Sequence, residues 1–259
     1  MCSSDLVKDG EWKTRGVVDG AAVETYRARE LMRMIADSAY VCGDPGMQYD
    51  TTVNNWHTSK NSAPINASNP CSEYMFLDDS ACNLASLNLM KFVDEKGRFN
   101  IETFRKAVDL TITAQEIIVG FASYPTKKIE INSIDYRPLG LGYANLGALL
   151  MSLGLAYDSD HGRDYAAAIT AIMTGEAYLQ SARIAGEIGP CKGFTINQRP
   201  FVDVMRMHRD AVKKISRTNI PAEMHDAAWT VWSDAVDLGS LNGYRNSQAT
   251  VLAPTGTIG

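Results

Sequence analysis

The sequence predicts an α/β protein, and three observations carry that reading. Long stretches at roughly 161 to 187, 201 to 216 and 223 to 238 have amphipathic, helical apolar spacing. Short runs of strand character, Arg137 to Ala144 and Asn246 to Ala253, each lead into a glycine-bearing turn. No internal repeat or low-complexity segment interrupts the alternation. Strands separated by long helices are the pattern of α/β folds.

The remaining elements follow from the N-terminus. Residues 21 to about 41 carry Val23, Leu31, Met32, Met34 and Ile35 among charged residues and predict a helix, stopped by Cys42-Gly43-Asp44-Pro45-Gly46. Tyr49 to Trp56, rich in Thr, Val and aromatics, predicts a short strand. His57 to Pro70 is polar with two prolines and reads as a loop. Ala81 to Leu89 has an apolar pattern that leaves helix and strand both open. Asn100 is a good N-cap for a helix with Ile101, Phe104, Val108 and Ile112 on one face, which cannot pass Pro125. Gly140 and Gly142 lack the third glycine and the later acidic residue of a dinucleotide fold, so close backbone packing is the reading favoured for them.

Composition narrows the function classes. Across 259 residues the hydrophobic fraction is 45 % and the formal net charge is -5, with no long basic run. Binding nucleic acid by neutralising its phosphates is therefore not expected. No stretch approaches the roughly 18 apolar residues of a membrane span, and no hydrophobic signal region opens the chain. A cytoplasmic protein is the expectation. The five cysteines, Cys2, Cys42, Cys71, Cys82 and Cys191, form no CxxC pair or His/Cys cluster, which disfavours structural zinc. Most such cysteines in a reducing compartment are inert and buried.

Asn69-Pro70-Cys71-Ser72-Glu73 stands apart. An amide, a thiol and a carboxylate recur at every second residue. In an extended chain all three project from one side of the backbone. A buried Asn and Glu would need partners, so a substrate-lined cavity suits them better than a core strand. Pro70 removes a donor and fits an edge or loop tip. The alternative is a small buried cysteine; the polar neighbours favour a functional thiol. As an ordinary nucleophile Cys71 would need a base, and nothing in the sequence ties His57 or His208 to it. Cys82 follows eleven positions later, close enough for its segment to lie beside that of Cys71 as a neighbouring strand and offer a redox thiol. Pro254-Thr255-Gly256-Thr257-Ile258 supplies two hydroxyls and exposed amides after a strand, a turn suited to phosphate oxygens but without the Lys of a P-loop.

Together these segments resemble the catalytic subunit of ribonucleotide reductase. The resemblance rests on Ser68-Asn69-Pro70-Cys71-Ser72-Glu73, Ala81 to Leu89, Arg137 to Gly142 and Ala253 to Thr257, in the family's order and spanning most of the chain from about residue 40 onward. Gly43 to Thr52 and Cys71 to Asp79 bring the wording nearest the adenosylcobalamin-dependent, class II enzymes. The metal-dependent class I large subunit is the runner-up. A non-catalytic nucleotide-binding module and a Cys71 thiol hydrolase are the alternatives from other classes.

The resemblance implies a ten-stranded α/β barrel, with Cys71 at the tip of a finger loop inside it. It implies adenosylcobalamin as cofactor, a ribonucleotide (a diphosphate by expectation) as substrate and a Cys71 thiyl as hydrogen abstractor. Glu73 is then the base at the 3′-hydroxyl, Asn69 orients the substrate and Cys82 is one member of a redox pair. Ser68, Pro70 and Ser72 line the substrate, and Pro254, Thr255, Gly256, Thr257 and Ile258 hold its phosphates. A nucleotide effector, a thioredoxin-type reductant and a homodimer belong to the whole enzyme. The upstream partner of Cys82 matches neither Cys2 nor Cys42. The chain is accordingly expected to be an internal fragment, inactive by itself. Residues 1 to 20 read as a leader and 21 to 259 as an incomplete catalytic barrel. Cys2 to Leu6 also match one reading frame of a common sequencing adapter, and are expected to be foreign to the fold.

Overall fold

The computed structural model describes residues 3–259 and divides into two compact units, the first ending at Tyr49. Cys2 lies outside the described residues. In the first unit a short helix α1 (Ser3–Lys8) precedes an antiparallel hairpin of β1 (Glu11–Arg15) and β2 (Ala22–Arg27). Helix α2 (Ala28–Cys42) follows and ends where Gly43, at φ 80°, donates its N–H to the Ala39 carbonyl at 2.9 Å. A left-handed glycine is the usual way to satisfy a helix's last carbonyls. The helix expected from residue 21 thus begins seven positions later. Val23, Thr25 and Tyr26 are β-formers, and the turn after Gly16 pairs them with β1, Gly16 N–H donating to the Ala21 carbonyl at 2.9 Å.

The second unit, 50 to 259, opens with α3 (Asp50–Asn55), where a strand is expected from composition. The Asn54 side chain decides it: its Nδ2 donates to Asp50 Oδ1 at 3.0 Å and, across the following loop, to the Ile65 carbonyl at 3.1 Å. After a long irregular segment come β3 (Asn83–Asn88), α4 (Ile101–Phe121), α5 (Lys127–Tyr136) and β4 (Leu139–Ala144). The Asn100 side chain caps α4 by accepting the Thr103 N–H at 2.9 Å. Helix α4 then buries Phe104, Val108, Ile112 and Val119. Helices α6 (Leu146–Ser152), α7 (Asp160–Ile188), α8 (Phe194–Ala211) and α9 (Ala222–Asn242) complete the unit.

Strands β3 and β4 are parallel, in register from Asn83 opposite Leu139 to Asn88 opposite Ala144. The segment after Asn246 runs along the other side of β4, with Leu139 N–H to Gln248 O at 2.7 Å, Leu141 N–H to Ala249 O at 3.1 Å and Val251 N–H to Leu141 O at 2.9 Å. Only one regular bridge, Leu141 with Thr250, forms there. Gly140 and Gly142 permit this three-fold contact. A Cβ at Gly140 would sit 2.6 Å from Leu84 Cδ2 and 3.1 Å from the Asn83 carbonyl, and one at Gly142 would collide with the Val251 carbonyl. Close packing, not a cofactor, accounts for both glycines.

The core contains Leu139 and Leu141 of the sheet with Ile112 of α4, Ile169 and Ile172 of α7, and Trp232 of α9. A closed ten-stranded barrel is not present among the described residues, whose sheets are two-stranded. Among the described residues β3 is paired on one edge, by β4. No described helix is long and apolar enough to cross a membrane.

Candidate active site

The Cys71 motif is a turn, not a strand. Ser72 donates its N–H to the Asn69 carbonyl at 3.0 Å and adopts φ 64°, a left-handed backbone that reverses the chain. Two further bonds close the loop: Asn69 N–H to the Tyr74 carbonyl at 3.3 Å and Tyr74 N–H to Asn69 Oδ1 at 3.0 Å. Ser68 Oγ donates to the Asn69 carbonyl at 2.9 Å. Pro70 restricts the apex and leaves no amide to satisfy. The strand alternation expected for Asn69, Cys71 and Glu73 therefore does not hold, and neither does a pair of neighbouring strands for Cys71 and Cys82. Local turn bonds outcompete extension because the Asn69 side chain supplies an acceptor inside the loop.

Within this loop the three side chains have different settings. Cys71 is exposed, at the apex. Asn69 accepts the Tyr74 N–H with its side-chain oxygen. Glu73 is half-buried, and its Oε2 is enclosed with no hydrogen-bond partner in the protein. An orphaned buried carboxylate oxygen is costly unless something else engages it.

Cys82, half-buried just before β3, lies within electrostatic reach of Glu73. Burial first, and then the Glu73 carboxylate, push its thiol up to about 11. At neutral pH Cys82 is thus a protonated thiol able to give hydrogen rather than a standing thiolate. Tyr74 and Ser80 join the group, the Tyr74 hydroxyl lying 2.9 Å from Ser80 Oγ. Burial raises the Tyr74 phenol above its ordinary range, and Cys82 adds to the effect. Sequence reasoning overlooked both residues. Tyr74 adjoins the motif, but nothing in the sequence signals Ser80.

The terminal turn sits elsewhere. Thr255, at φ 55°, accepts the amides of Ile258 at 3.3 Å and Gly259 at 3.0 Å. The amides of Gly256 and Thr257 and the two threonine hydroxyls have no internal partner among the described residues. Gly259 adjoins Asn145, whose Nδ2 donates to Asn88 Oδ1 at 3.0 Å. The turn therefore lies at the C-terminal ends of the parallel strands, where ligands of open α/β sheets bind. Cys82 lies at the opposite end of β3, a strand length of roughly 20 Å at about 3.3 Å per residue. Glu73, Cys82 and Tyr74 are brought together; the turn is not brought to them.

Neither histidine suggested as a base is free for Cys71. His57 Nε2 meets the Ala63 carbonyl at 3.0 Å, its Nδ1 accepts the Ser59 amide at 3.4 Å, and burial pushes it down to about 4. His208 stacks on Trp232 with centroids 4.9 Å apart and is likewise held near 4 by burial. Cys191 is buried, its Sγ 3.2 Å from Ser247 Oγ, and Cys42 is exposed in the first unit. No cluster of His, Cys, Asp and Glu able to hold a metal occurs among the described residues.

The family model for the ribonucleotide reductase barrel domain matches residues 11–259. The vitamin B12-dependent ribonucleotide reductase of Rhodopirellula baltica is 52% identical over 253 residues, covering 97% of this chain and 24% of that protein. The Streptomyces coelicolor protein of the same name is 49% identical over 255 residues, 96% of this chain and 26% of its own length. A vitamin B12-dependent ribonucleoside-diphosphate reductase of Mycobacterium tuberculosis is 29% identical over 176 residues, 68% of this chain and 25% of its own. The chain spans about a quarter of the length of the curated relatives it matches.

Proposed function

The chain belongs to the ribonucleotide reductase barrel-domain family, and from that premise we propose that it carries the thiol site of a cobalamin-dependent reductase of ribonucleotides. One observation carries the reading: an exposed thiol at the tip of a tied loop, with an unpartnered carboxylate oxygen two residues on and a protonated second thiol beside that carboxylate. The parent protein is then a ten-stranded barrel with Cys71 on its finger loop, acting on ribonucleoside diphosphates in the cytoplasm. The substrate class follows the name of the Mycobacterium tuberculosis relative.

The chemistry runs as follows. Cys71, as a thiyl, takes the 3′ hydrogen atom of the ribose, forming its S–H bond and leaving a carbon radical. Glu73 accepts the 3′-hydroxyl proton, a task for a carboxylate held in a shielded site. The NH₂ of Asn69 holds the sugar in line for both transfers. One of two thiols, Cys82 and a partner supplied by the parent, protonates the 2′-hydroxyl, which leaves as water. The pair gives up two electrons and two protons in all, one proton to that water and one to C2′, and becomes a disulfide. Cys71 returns the hydrogen atom to C3′ and is a thiyl again, and Glu73 gives its proton back to the 3′-oxygen. A thioredoxin-type dithiol then re-reduces the disulfide by exchange. In this reading Ser68, Pro70 and Ser72 border the sugar, and the terminal turn, through the amides of Gly256 and Thr257 and the hydroxyls of Thr255 and Thr257, takes the phosphates in the parent, which must bring it nearer to Cys82 than the strand length that separates them here. A nucleotide effector and homodimeric assembly belong to the parent, and this segment alone does not turn over.

Adenosylcobalamin fits the chain at one point, the exposed Cys71 thiol, which is open to a radical formed outside the loop. The chemistry such a cofactor supplies is homolysis of its Co–C bond. Cavities of about 460 and 470 Å³ occur elsewhere in the unit, neither lined by Cys71, within the roughly 300–1,000 Å³ of sites for drug-sized ligands. A corrin with its side chains exceeds such ligands, so no residue of this segment is assigned to enclose it.

Cys71→Ser in the full-length protein tests the proposal. Ribonucleotide reduction should vanish while nucleotide binding by equilibrium dialysis is kept. Unchanged reduction would sink it, and a protein that only binds nucleotides would show no reduction in the parent either.

A further inference from the structure

We propose that Tyr74 and Ser80 are positioning residues, Tyr74 acting as a strut that holds the Cys71 loop against the segment carrying Cys82 and so sets the approach of Glu73 to Cys82. The inference rests on the reductase reading of those three residues.

Tyr74 is tied at three points. Its backbone closes the loop through both bonds to Asn69, at 3.3 and 3.0 Å. Its hydroxyl reaches Ser80 Oγ at 2.9 Å, two residues before Cys82, and Ser80 Oγ in turn lies 2.5 Å from the Leu77 carbonyl. Its ring leans on Phe76 with centroids 6.4 Å apart, and buried Phe76 packs edge-on against Tyr136 at 5.9 Å and His57 at 5.7 Å. The loop tip is therefore anchored to the core through one aromatic side chain.

The tip needs such an anchor. Cys71 and Ser72 are exposed, and the segment from Glu73 to Cys82 contains no regular hydrogen-bonded ladder. Exposed backbone with few buried contacts opens locally at little cost. Hydrogen-atom and proton transfer demand reacting atoms held close, and a misplacement of about 1 Å costs up to roughly a hundredfold in rate. A hydroxyl bond between the two arms restricts the separation of Glu73 and Cys82 without touching substrate. Cys82 senses the same closeness, since burial and Glu73 both raise its thiol.

The test uses the full-length protein with Tyr74→Phe, Ser80→Ala, the double variant and Ser80→Thr, and two readouts. In turnover, each single variant should lose about tenfold to a hundredfold in kcat with nucleotide KM unchanged. The double variant should be no worse than the singles, because both break one bond, and Ser80→Thr, which keeps a hydroxyl, should stay near the parent. In the absence of substrate, the pH midpoint of Cys82 alkylation, followed by peptide mass spectrometry, should move down from about 11 toward the ordinary 9.0 as the arms part. Parent-like alkylation profiles in both single variants would overturn the strut. If the parent shows no reduction but the profiles shift, the reductase reading fails and the strut stands. Should Tyr74→Phe not fold, Ser80→Ala against Ser80→Thr makes the same comparison.

Discussion

Glu116 and Arg137 form a buried ion pair, with Arg137 Nε 2.5 Å from Glu116 Oε1. The same oxygen receives Arg245 Nε at 2.7 Å, and Asn246 Nδ2 donates to the other at 2.6 Å. One carboxylate on α4 thereby joins the α5–β4 turn to the segment entering the third sheet position. Arg137 is held there at φ 50°, a left-handed backbone that only strong neighbouring contacts sustain.

Glu116→Gln should loosen this junction. It leaves two guanidinium groups without a compensating charge, a loss of about 3–5 kcal/mol for a broken buried pair. Hydrogen exchange in the full-length protein should show the Leu139 and Leu141 amides losing protection. Protection equal to the parent's would refute the assignment.

Gly142→Ala and Gly147→Ala should act in opposite directions. A Cβ at Gly142 meets the Val251 carbonyl, whereas one at Gly147 in α6 meets nothing within 4 Å. Overpacking at the first costs about 1–3 kcal/mol. At the second, a helical position, alanine gains about 0.5–1 kcal/mol over glycine. Thermal midpoints of the two variants on either side of the parent's would bear this out.

His57 makes stability fall in acid. Its folded value near 4 lies below the ordinary 6.5, so between those values the unfolded chain binds the extra proton. Stability at this site is intact above pH 6.5 and declines as pH drops toward 4, by up to about 3 kcal/mol at about 1.4 kcal/mol per unit. His57→Gln should flatten that part of the pH–stability curve. A slope unchanged by the substitution would rule His57 out as its source.

Glu73→Gln should lower kcat of the full-length protein by about a hundredfold to ten-thousandfold, the span of general acid–base contributions. Nucleotide affinity should hold, because the amide keeps the size of the side chain. A kcat within a few-fold of the parent would exclude Glu73 as the base.

Much of the helical fold was legible. Asn100 caps α4 as its side chain and the following apolar spacing predict, and Gly43 ends α2. These signals are local, each acting within one turn of backbone. The hairpin of β1 and β2 was not legible, because Trp12 faces Tyr26 across a turn whose pairing no single segment reveals. Helix α3 was missed for a similar reason: the Asn54 bond to the Ile65 carbonyl overrides the β-propensity of Thr and Val.

The sequence by itself determined which groups this chain offers, an amide, two thiols and a carboxylate within fourteen positions, 69 to 82. It also carried the ordered motifs from which the family is read. Only tertiary structure decided how those groups meet. Ser72 turns left-handed, Tyr74 braces on Ser80, and Cys82 becomes a high-pKa thiol beside an orphaned Glu73 oxygen. The terminal turn falls at the far end of the sheet. The physical reason is range: residue type and spacing act through bonds along the backbone, whereas desolvation and electrostatic coupling depend on contacts between segments that spacing alone leaves free.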